Sequence, residues 1–498
     1  MLVFHDKQIT RMRDTIVILG AALFMLTGCD VEKPVQTVSI VQNYKNWQWD
    51  SVFVAKNKYI SLAVVPDAAG RVLEYNLGEV PSLWLNPELF GKSFAPNDEV
   101  KQEDWRNFGG YRLVPIPVDD CAINASGEKT NRWPPPVVIG DSPYKVDIST
   151  NKDGEQSIDV ESGIQELPVP LFDNKTQSFN QPEKIDERLQ YKRSLHIEPG
   201  SSLVYFKHTL INRGDETVKR GIMTTSQHIS RSKPDLEDGE NFRAYIPFSE
   251  KYKMPDGEQY HINVTPESRW RYVNRNRMLL DKDNPEHVKK YFNHGTNWNG
   301  EVAPGIFEIQ YDYYLMGGFH IVSSEAWVCY VDKTSNTTFA KILEPYNPNL
   351  EYEEGVNLAI YNSGMVTGYL ETEVKTPIHT LAPGESFDYK EIHGAAKILS
   401  TPVLGVNLAG VITQKLSCKE SVIKGQYGVF NEGRATLRLL DTSDTLVKEI
   451  VLEDVNPLNA FSFEYLMKNL ENVAKAELYI EDIHKELHLL DSCVLVIR

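Results

Sequence analysis

LVYFKHTLINRGDETVKRGIMTTSQH, Leu203–His228, reads as two strands around a turn. Leu203–Ile211 and Val218–His228 are rich in Val, Ile, Thr, Tyr and Phe, whose branched or flat side chains lose freedom in a helix and pack well on a pleated sheet. Asn212-Arg213-Gly214-Asp215 lies between them, and Glu198-Pro199-Gly200 comes before. Glycine tolerates positive φ, proline presets its own φ, and Asn and Asp hydrogen-bond to nearby main chain, so both segments bend the backbone.

The same grammar extends in both directions. Ile60–Val65 stops at Pro66-Asp67, and Arg71–Leu77 breaks at Gly78. Period-two patterning predicts further strands at Ile306–Tyr314, Ala326–Asp332, Thr338–Glu344, Val356–Tyr361 and Gly368–Lys375. Helical periodicity is scarce, with one short helix expected at Pro285–Phe292. Asn151–Glu187 is polar with scattered Pro, Gly, Asn and Asp, and is expected to leave the sheet as a long excursion. Strands at this spacing make an all-β protein, a sandwich or a barrel.

A chain of 498 residues exceeds one ordinary core and divides into two or three domains. The strand pattern restarts near Leu399–Leu404, with Val411–Leu416, Gly425–Phe430, Ala435–Leu440, Leu446–Leu452, Ala476–Ile480 and Leu487–Ile497. About 95 residues of short strands is the size of an immunoglobulin-like sandwich. The expected boundaries are a leader at 1–29, a large β domain at 38–398 and a C-terminal β-sandwich at 405–498.

Lys7, Arg11 and Arg13 precede the apolar run Thr15–Leu26, which is too short to span a bilayer. The run ends in Leu26-Thr27-Gly28-Cys29, which resembles the lipobox of bacterial lipoproteins. That resemblance implies cleavage before Cys29, lipidation of its thiol, export, and attachment to a bacterial membrane through acyl chains. The remaining cysteines, Cys121, Cys329, Cys418 and Cys493, show no C-x-x-C spacing, and their pairing is left open. A formal net charge of −17 argues against a nucleic-acid partner, which would need a basic footprint.

Familiar chemical signatures are absent: no G-x-S-x-G elbow, no phosphate-binding P-loop, no H-E-x-x-H. Asp281-Lys282-Asp283-Asn284 starts like a calcium loop but lacks the later glycine and acidic ligand. On a strand, His484, Glu486 and His488 would share one face, as metal ligands or as a solvated surface opposite Leu487 and Leu489. The solvated surface is the better account, because neighbouring strands would also have to supply ligands. No metal and no cofactor is expected.

The segment WRNFGGYRLVPIP, Trp105–Pro117, joins two glycines to Arg112 and a Pro-x-Pro, which a central strand would not tolerate. It is therefore expected as a turn at the rim of a sheet. It follows Val65-Pro66-Asp67-Ala68-Ala69-Gly70-Arg71-Val72 and Leu83-Trp84-Leu85-Asn86-Pro87-Glu88. This order resembles galactose-mutarotase-like proteins, in particular an uncharacterised bacterial lipoprotein branch. Thr209-Leu210-Ile211-Asn212-Arg213-Gly214-Asp215-Glu216, Leu370-Glu371-Thr372-Glu373 and Leu381-Ala382-Pro383-Gly384-Glu385-Ser386 resemble further segments of that family and of aldose 1-epimerases. The resemblance covers roughly residues 50–398.

It implies a β-supersandwich, followed here by the small immunoglobulin-like sandwich, with a sheet face that binds a carbohydrate. It also implies an acid–base pair for opening and reclosing a sugar ring, carried onto Glu371 and His228. Arg112, Trp105 and Glu373 are the expected substrate-binding residues, and Trp133 is a second candidate stacking platform. Arg112 suits sugar hydroxyls or a uronate carboxylate. The epimerases' early Leu-His-Gly-Gly loop has no counterpart. Three readings follow: a mutarotase-like isomerase, a glycan-binding lipoprotein without turnover, and a polysaccharide-cleaving enzyme on a related supersandwich.

Overall fold

The computed structural model describes residues 37–495, apart from 102–103, 131–134, 153, 234–235, 237, 263–283, 286–297, 312–316, 365–366 and 468–471. The leader with Cys29, Trp133 and all but the first residue of the expected Pro285–Phe292 helix lie outside the described residues.

The described chain is mostly β, in several predominantly antiparallel sheets. One twelve-stranded sheet runs Thr37–Val41, Val52–Lys56, Ile60–Val65, Arg71–Leu77, Tyr111–Ile116, Val218–Ile229, Tyr369–Lys375, Leu358–Asn362, Gly317–Ile321 and Tyr260–Ile262, with two short strands at its side. A ten-stranded sheet has Thr337–Ile342, Ser386–Lys397, Val204–Asn212 and Glu187–Ile197 at its centre. One face of each contributes to a common apolar core that includes Leu62, Tyr75, Leu113, Tyr191, Phe206, Ile222, Phe319, Phe339 and Leu370.

The two strands of Leu203–His228 form as expected but belong to different sheets. Asn212 makes the crossing: its buried side chain donates to Glu216 O (2.8 Å) and Leu381 O (3.0 Å) and accepts from Gly214 N (2.9 Å). An amide at this place satisfies three backbone groups that a turn would otherwise leave unpaired.

Two expectations are corrected. Residues 151–187 leave the sheet only in their second half: Gln156–Leu167 is a long strand paired with both Lys145–Thr150 and Glu187–Ile197, whereas Val169–Asp173 and Ser178–Asn180 lie in a separate four-stranded sheet. The long strand lies beside the sheet edge with one face in solvent, so only Ile158 and Val160 of its first half are fully buried, and a bulge after Glu161 breaks the alternation. Tyr111–Ile116 is likewise no rim turn but a strand within the large sheet. Pro115 is tolerated because Arg71–Leu77 pairs with this strand only at Val72–Tyr111 and leaves one side open beyond that point.

Between the sheets sits a fully buried polar cluster. His208 lies between the hydroxyls of Tyr111 (2.9 Å) and Tyr191 (2.7 Å). Glu391 contacts Tyr111 (3.1 Å), His393 (2.9 Å) and the Thr224 hydroxyl, while Lys341 donates to Thr372 O (2.8 Å). The adjoining cavity measures only ≈ 10 Å³ and is lined by Ser226, His228, Lys341 and His393 among apolar side chains.

Residues 405–494 form two four-stranded sheets around their own core, with Ile423, Tyr427, Leu437, Leu478 and Ile480. A separate apolar cluster bridges the two β assemblies, joining Leu203, Trp327, Val331 and Ala396 to Val403, Val411 and Phe430. Phe430 is the centre of that seam: its ring covers Gly394, where a β-carbon would stand 2.8 Å away, and its carbonyl accepts from Ser202 N at 2.8 Å.

Phe430→Ala should therefore cost about 3–5 kcal/mol in denaturant unfolding and speed proteolysis near residues 399–404. A cost within experimental error would show that the seam contributes nothing to stability.

Acid should weaken the fold through the buried histidines. Burial pushes His208 down to about 3 and His393 to about 4, and holds His228 well below its ordinary value of 6.5. The unfolded chain then binds more protons than the native one below pH 6.5, so stability falls as the pH drops from there through about 4. Urea midpoints at pH 7, 6, 5 and 4 should decline in that order.

Candidate functional site

The register across the large sheet assembles a polar row. Thr225 lies opposite Arg112 on one side and Glu373 on the other, and the row continues through Ala359 to His320. One step along, Gln227 lies opposite Glu371, which faces Tyr361. Because side chains alternate along a strand, Arg112, Thr225, Gln227, Glu371 and Glu373 share one face. Leu370, Val374 and Ile222 take the other face, which is the sandwich interior.

Gly109 and Gly110 allow this face to be walled. Their φ values are +89° and +77°, and a β-carbon would stand 2.1 Å from Trp84 O at the first and 2.4 Å from Val72 O at the second. No other residue fits. The close approach lets Trp84 N donate to Gln227 O (2.7 Å) and Gly110 N donate to Trp84 O (2.9 Å). The Trp84 ring is thereby set 5.1 Å from that of Tyr369, whose hydroxyl accepts from Asn107 Nδ2 at 3.4 Å.

The charged groups are paired. Arg112 Nη2 stands 3.6 Å from Glu371 Oε1, each residue being 3% exposed, and Gln227 Nε2 donates to the same oxygen at 2.7 Å. The Arg112 guanidinium also lies 5.7 Å from the Trp105 ring, which is half-buried at the edge. A second buried guanidinium, Arg71, donates to Gly109 O (3.2 Å) and Gly140 O (2.8 Å); burial, then the charge of Arg112, lowers it to about 9. Lys375 bridges Glu353 (3.0 Å) and Glu354 (2.6 Å), and Glu354 also meets His320 at 2.9 Å.

Glu373 is the exception. It has more solvent exposure than Glu371, yet its carboxyl is pushed up to about 8. Burial is the main cause, followed by the charge of Glu371 and a hydrogen bond to it. At neutral pH Glu373 is therefore held as a protonated acid beside Glu371.

Arg112, Glu371 and Glu373 are thus brought together, with Trp105 beside them. His228 is not. It follows Gln227, so alternation turns it into the sandwich interior, where it stacks on Tyr330 with 4.4 Å between ring centroids and its Nε2 meets Thr372 Oγ1 at 3.1 Å. Glu371 and His228 lie on opposite faces of the sheet, which corrects the expected acid–base pair. The same strand supplies Gln227 in its place; its position beside His228 was the available signal. Asn107, Arg71 and the Lys375–Glu354–His320 chain had no local signal.

The metal-like motif near the C-terminus is also rearranged. Residues 483–486 are a turn, so His484 and Glu486 share no strand face with His488. Asp482 Oδ1 caps the turn by accepting from His484 N (2.8 Å) and Glu486 N (2.9 Å), and its Oδ2 meets His488 Nε2 at 2.8 Å. Donor atoms of Asp482, Glu486 and His488 lie within 4.8 Å of one another, the one such grouping among the described residues. Its internal hydrogen bonds already account for it.

No protein-family profile and no curated protein sequence matches this chain. Its fold is similar to that of solved galactose mutarotase-like proteins. One from Clostridium acetobutylicum shares 15% identity at a TM-score of 0.40, over 74% of this chain and 99% of that one. Another, from Lactobacillus casei, shares 8% at 0.40, over 69% and 99%. A galactose mutarotase related enzyme from Lactobacillus acidophilus shares 12% at 0.38, over 69% and 96%. At such identities and scores the likeness assigns neither a residue nor an activity to this chain.

Proposed function

We propose that the face carrying Glu371 and Glu373 binds a carbohydrate and moves protons at its anomeric centre. The observation that supports this reading is the pair itself: Glu371, oriented by Arg112 at 3.6 Å and Gln227 at 2.7 Å, shares a sheet face with Glu373, whose carboxyl is pushed up to about 8. Exchange of anomers needs a base for the proton of the anomeric hydroxyl and an acid for the ring oxygen. Glu371 serves as the base and Glu373 as the acid; when Glu373 gives its proton and Glu371 takes one, the pair still holds a single proton and is reset by transfer between its members. Trp84 and Trp105, both half-buried, offer apolar ring surface for the flat faces of a sugar.

Binding without turnover is the second reading, favoured by the near-complete burial of Arg112, Gln227 and Glu371, which leaves Glu373 as the more accessible member. On the sequence expectation for Cys29 the site would work at a membrane surface; labelled fatty acid should enter the protein and be absent from Cys29→Ser.

Anomer exchange in a panel of free aldoses, followed by NMR, tests the main reading. Glu371→Gln and Glu373→Gln should each slow it by about 10²–10⁴-fold, and the rate should fall as the pH rises through about 8. Binding that survives in a protein with no exchange activity would select the second reading.

Stability supplies a separate check on the acid. The native state holds the Glu373 proton up to about pH 8, whereas an unfolded glutamate releases it near 4.5, so this group's contribution to stability falls as pH rises between those values. Glu373→Gln should raise the melting temperature at pH 8–9 and bring no gain at pH 4. An equal change at both would rule out the raised carboxyl.

A further inference from the structure

The four described cysteines fall into two kinds. Cys121 and Cys329 are completely buried, in separate apolar clusters. Cys121 accepts from Arg220 Nη1 at 3.7 Å, and burial pushes its thiol up to about 11. Cys418 and Cys493 are part-exposed and pack against one and the same core, that of the C-terminal sandwich.

They stand near the ends of Gly410–Lys419 and Leu487–Val494, strands that belong to opposite sheets of the sandwich and run side by side where the sheets meet. Two hydrogen bonds tie the segments together. Asn407 Nδ2, in the hairpin that leads into the first strand, donates to Leu490 O at 2.8 Å; Leu416 N donates to Asp491 Oδ2 at 2.6 Å. Contacts therefore advance in the same sense along both segments. Leu416 is buried, and Asp491 Oδ2 also accepts from the buried Tyr427 hydroxyl at 3.2 Å, so both residues point inward. Two residues further, on the same faces, come Cys418 and Cys493. Each lies near enough that the Cys418 thiol, after burial and Asp491, helps to raise that of Cys493.

We propose that Cys418 and Cys493 form a disulfide that staples the two sheets of the C-terminal sandwich in an oxidising compartment. The Sγ–Sγ bond forms as the two thiols give up two protons and two electrons, and a small-molecule or protein disulfide accepts them and is reduced to two thiols. The bond closes a loop that contains Val422–Val429, Gly433–Leu440, Leu446–Val455, Phe461–Leu466 and Lys475–Asp482. It restrains the unfolded chain and ties Gly410–Lys419 to Leu487–Val494 across the two sheets. An exported chain would meet such an oxidant; a cytosolic one would not.

The test uses the full chain, purified reduced and then exposed to oxidised glutathione. The monomer should lose about 2 Da, and digestion without reductant should release one peptide pair that joins Cys418 to Cys493. Cys121 and Cys329 should remain open to alkylation after unfolding. Oxidation should raise the melting temperature of the wild type and leave that of the Cys418→Ser, Cys493→Ser double variant unchanged. Full alkylation of Cys418 and Cys493 in the oxidised monomer would overturn the proposal. So would a bond from either one to another cysteine, to glutathione as the stable product, or to a second chain.

Discussion

Two carbonyl oxygens, those of Trp84 and Val72, occupy the space where any residue but glycine at 109 and 110 would place its β-carbon. Much of the site hangs on that contact. It lets residues 83–85 lie against the start of the Tyr111–Ile116 strand and bond to Gln227, so three separate parts of the chain meet at one corner of the large sheet. Arg112 follows this corner directly, which fixes the height at which its guanidinium meets Glu371. A larger side chain at Gly109 would push the Trp84 segment away, and the ring that covers Tyr369 with it; one at Gly110 would push on Val72 and Leu73 instead.

The large sheet then sorts chemistry by parity. Along Val218–Ile229 the residues Thr224, Ser226 and His228 enter the interior, where each polar atom must find a partner in a dry space. Thr225 and Gln227 face the other way, towards carboxylates and guanidinium groups. The two sides hold ionisable groups in opposite manners. Inside, burial keeps His208 and His393 neutral beside an ionised Glu391. Outside, burial and then the charge of Glu371 keep Glu373 protonated. A one-residue shift in register would exchange the two sets and satisfy neither.

Strand positions were legible because period two and turn residues are local properties; Ile60–Val65 and Arg71–Leu77 are found at the bounds their sequence predicts. What escaped depends on neighbours. Gln156–Leu167 looks like a loop because its outer face is wet, and Pro115 looks like an exclusion from a sheet whose partner strand in fact diverges. In the site, the shared face of Glu371 and Glu373 could be read from spacing alone. The placement of His228 could have been read the same way, relative to Gln227, but which of the two faces is the interior depends on the second sheet.

The crossing at Asn212 also governs the order in which the chain can be built. Val204–Asn212 and Val218–Ile229 emerge from the ribosome together, but their partners, Ser386–Lys397 and Tyr369–Lys375, arrive much later; Gln227 and Glu371 are separated by 144 residues. Until that part is synthesised, the central strand of each sheet has an open edge and the shared core lacks a wall. Pairing at such distance is slow, because the loop must be closed before any contact rewards it. The edges left open until then are the places where the growing chain is exposed to mispairing.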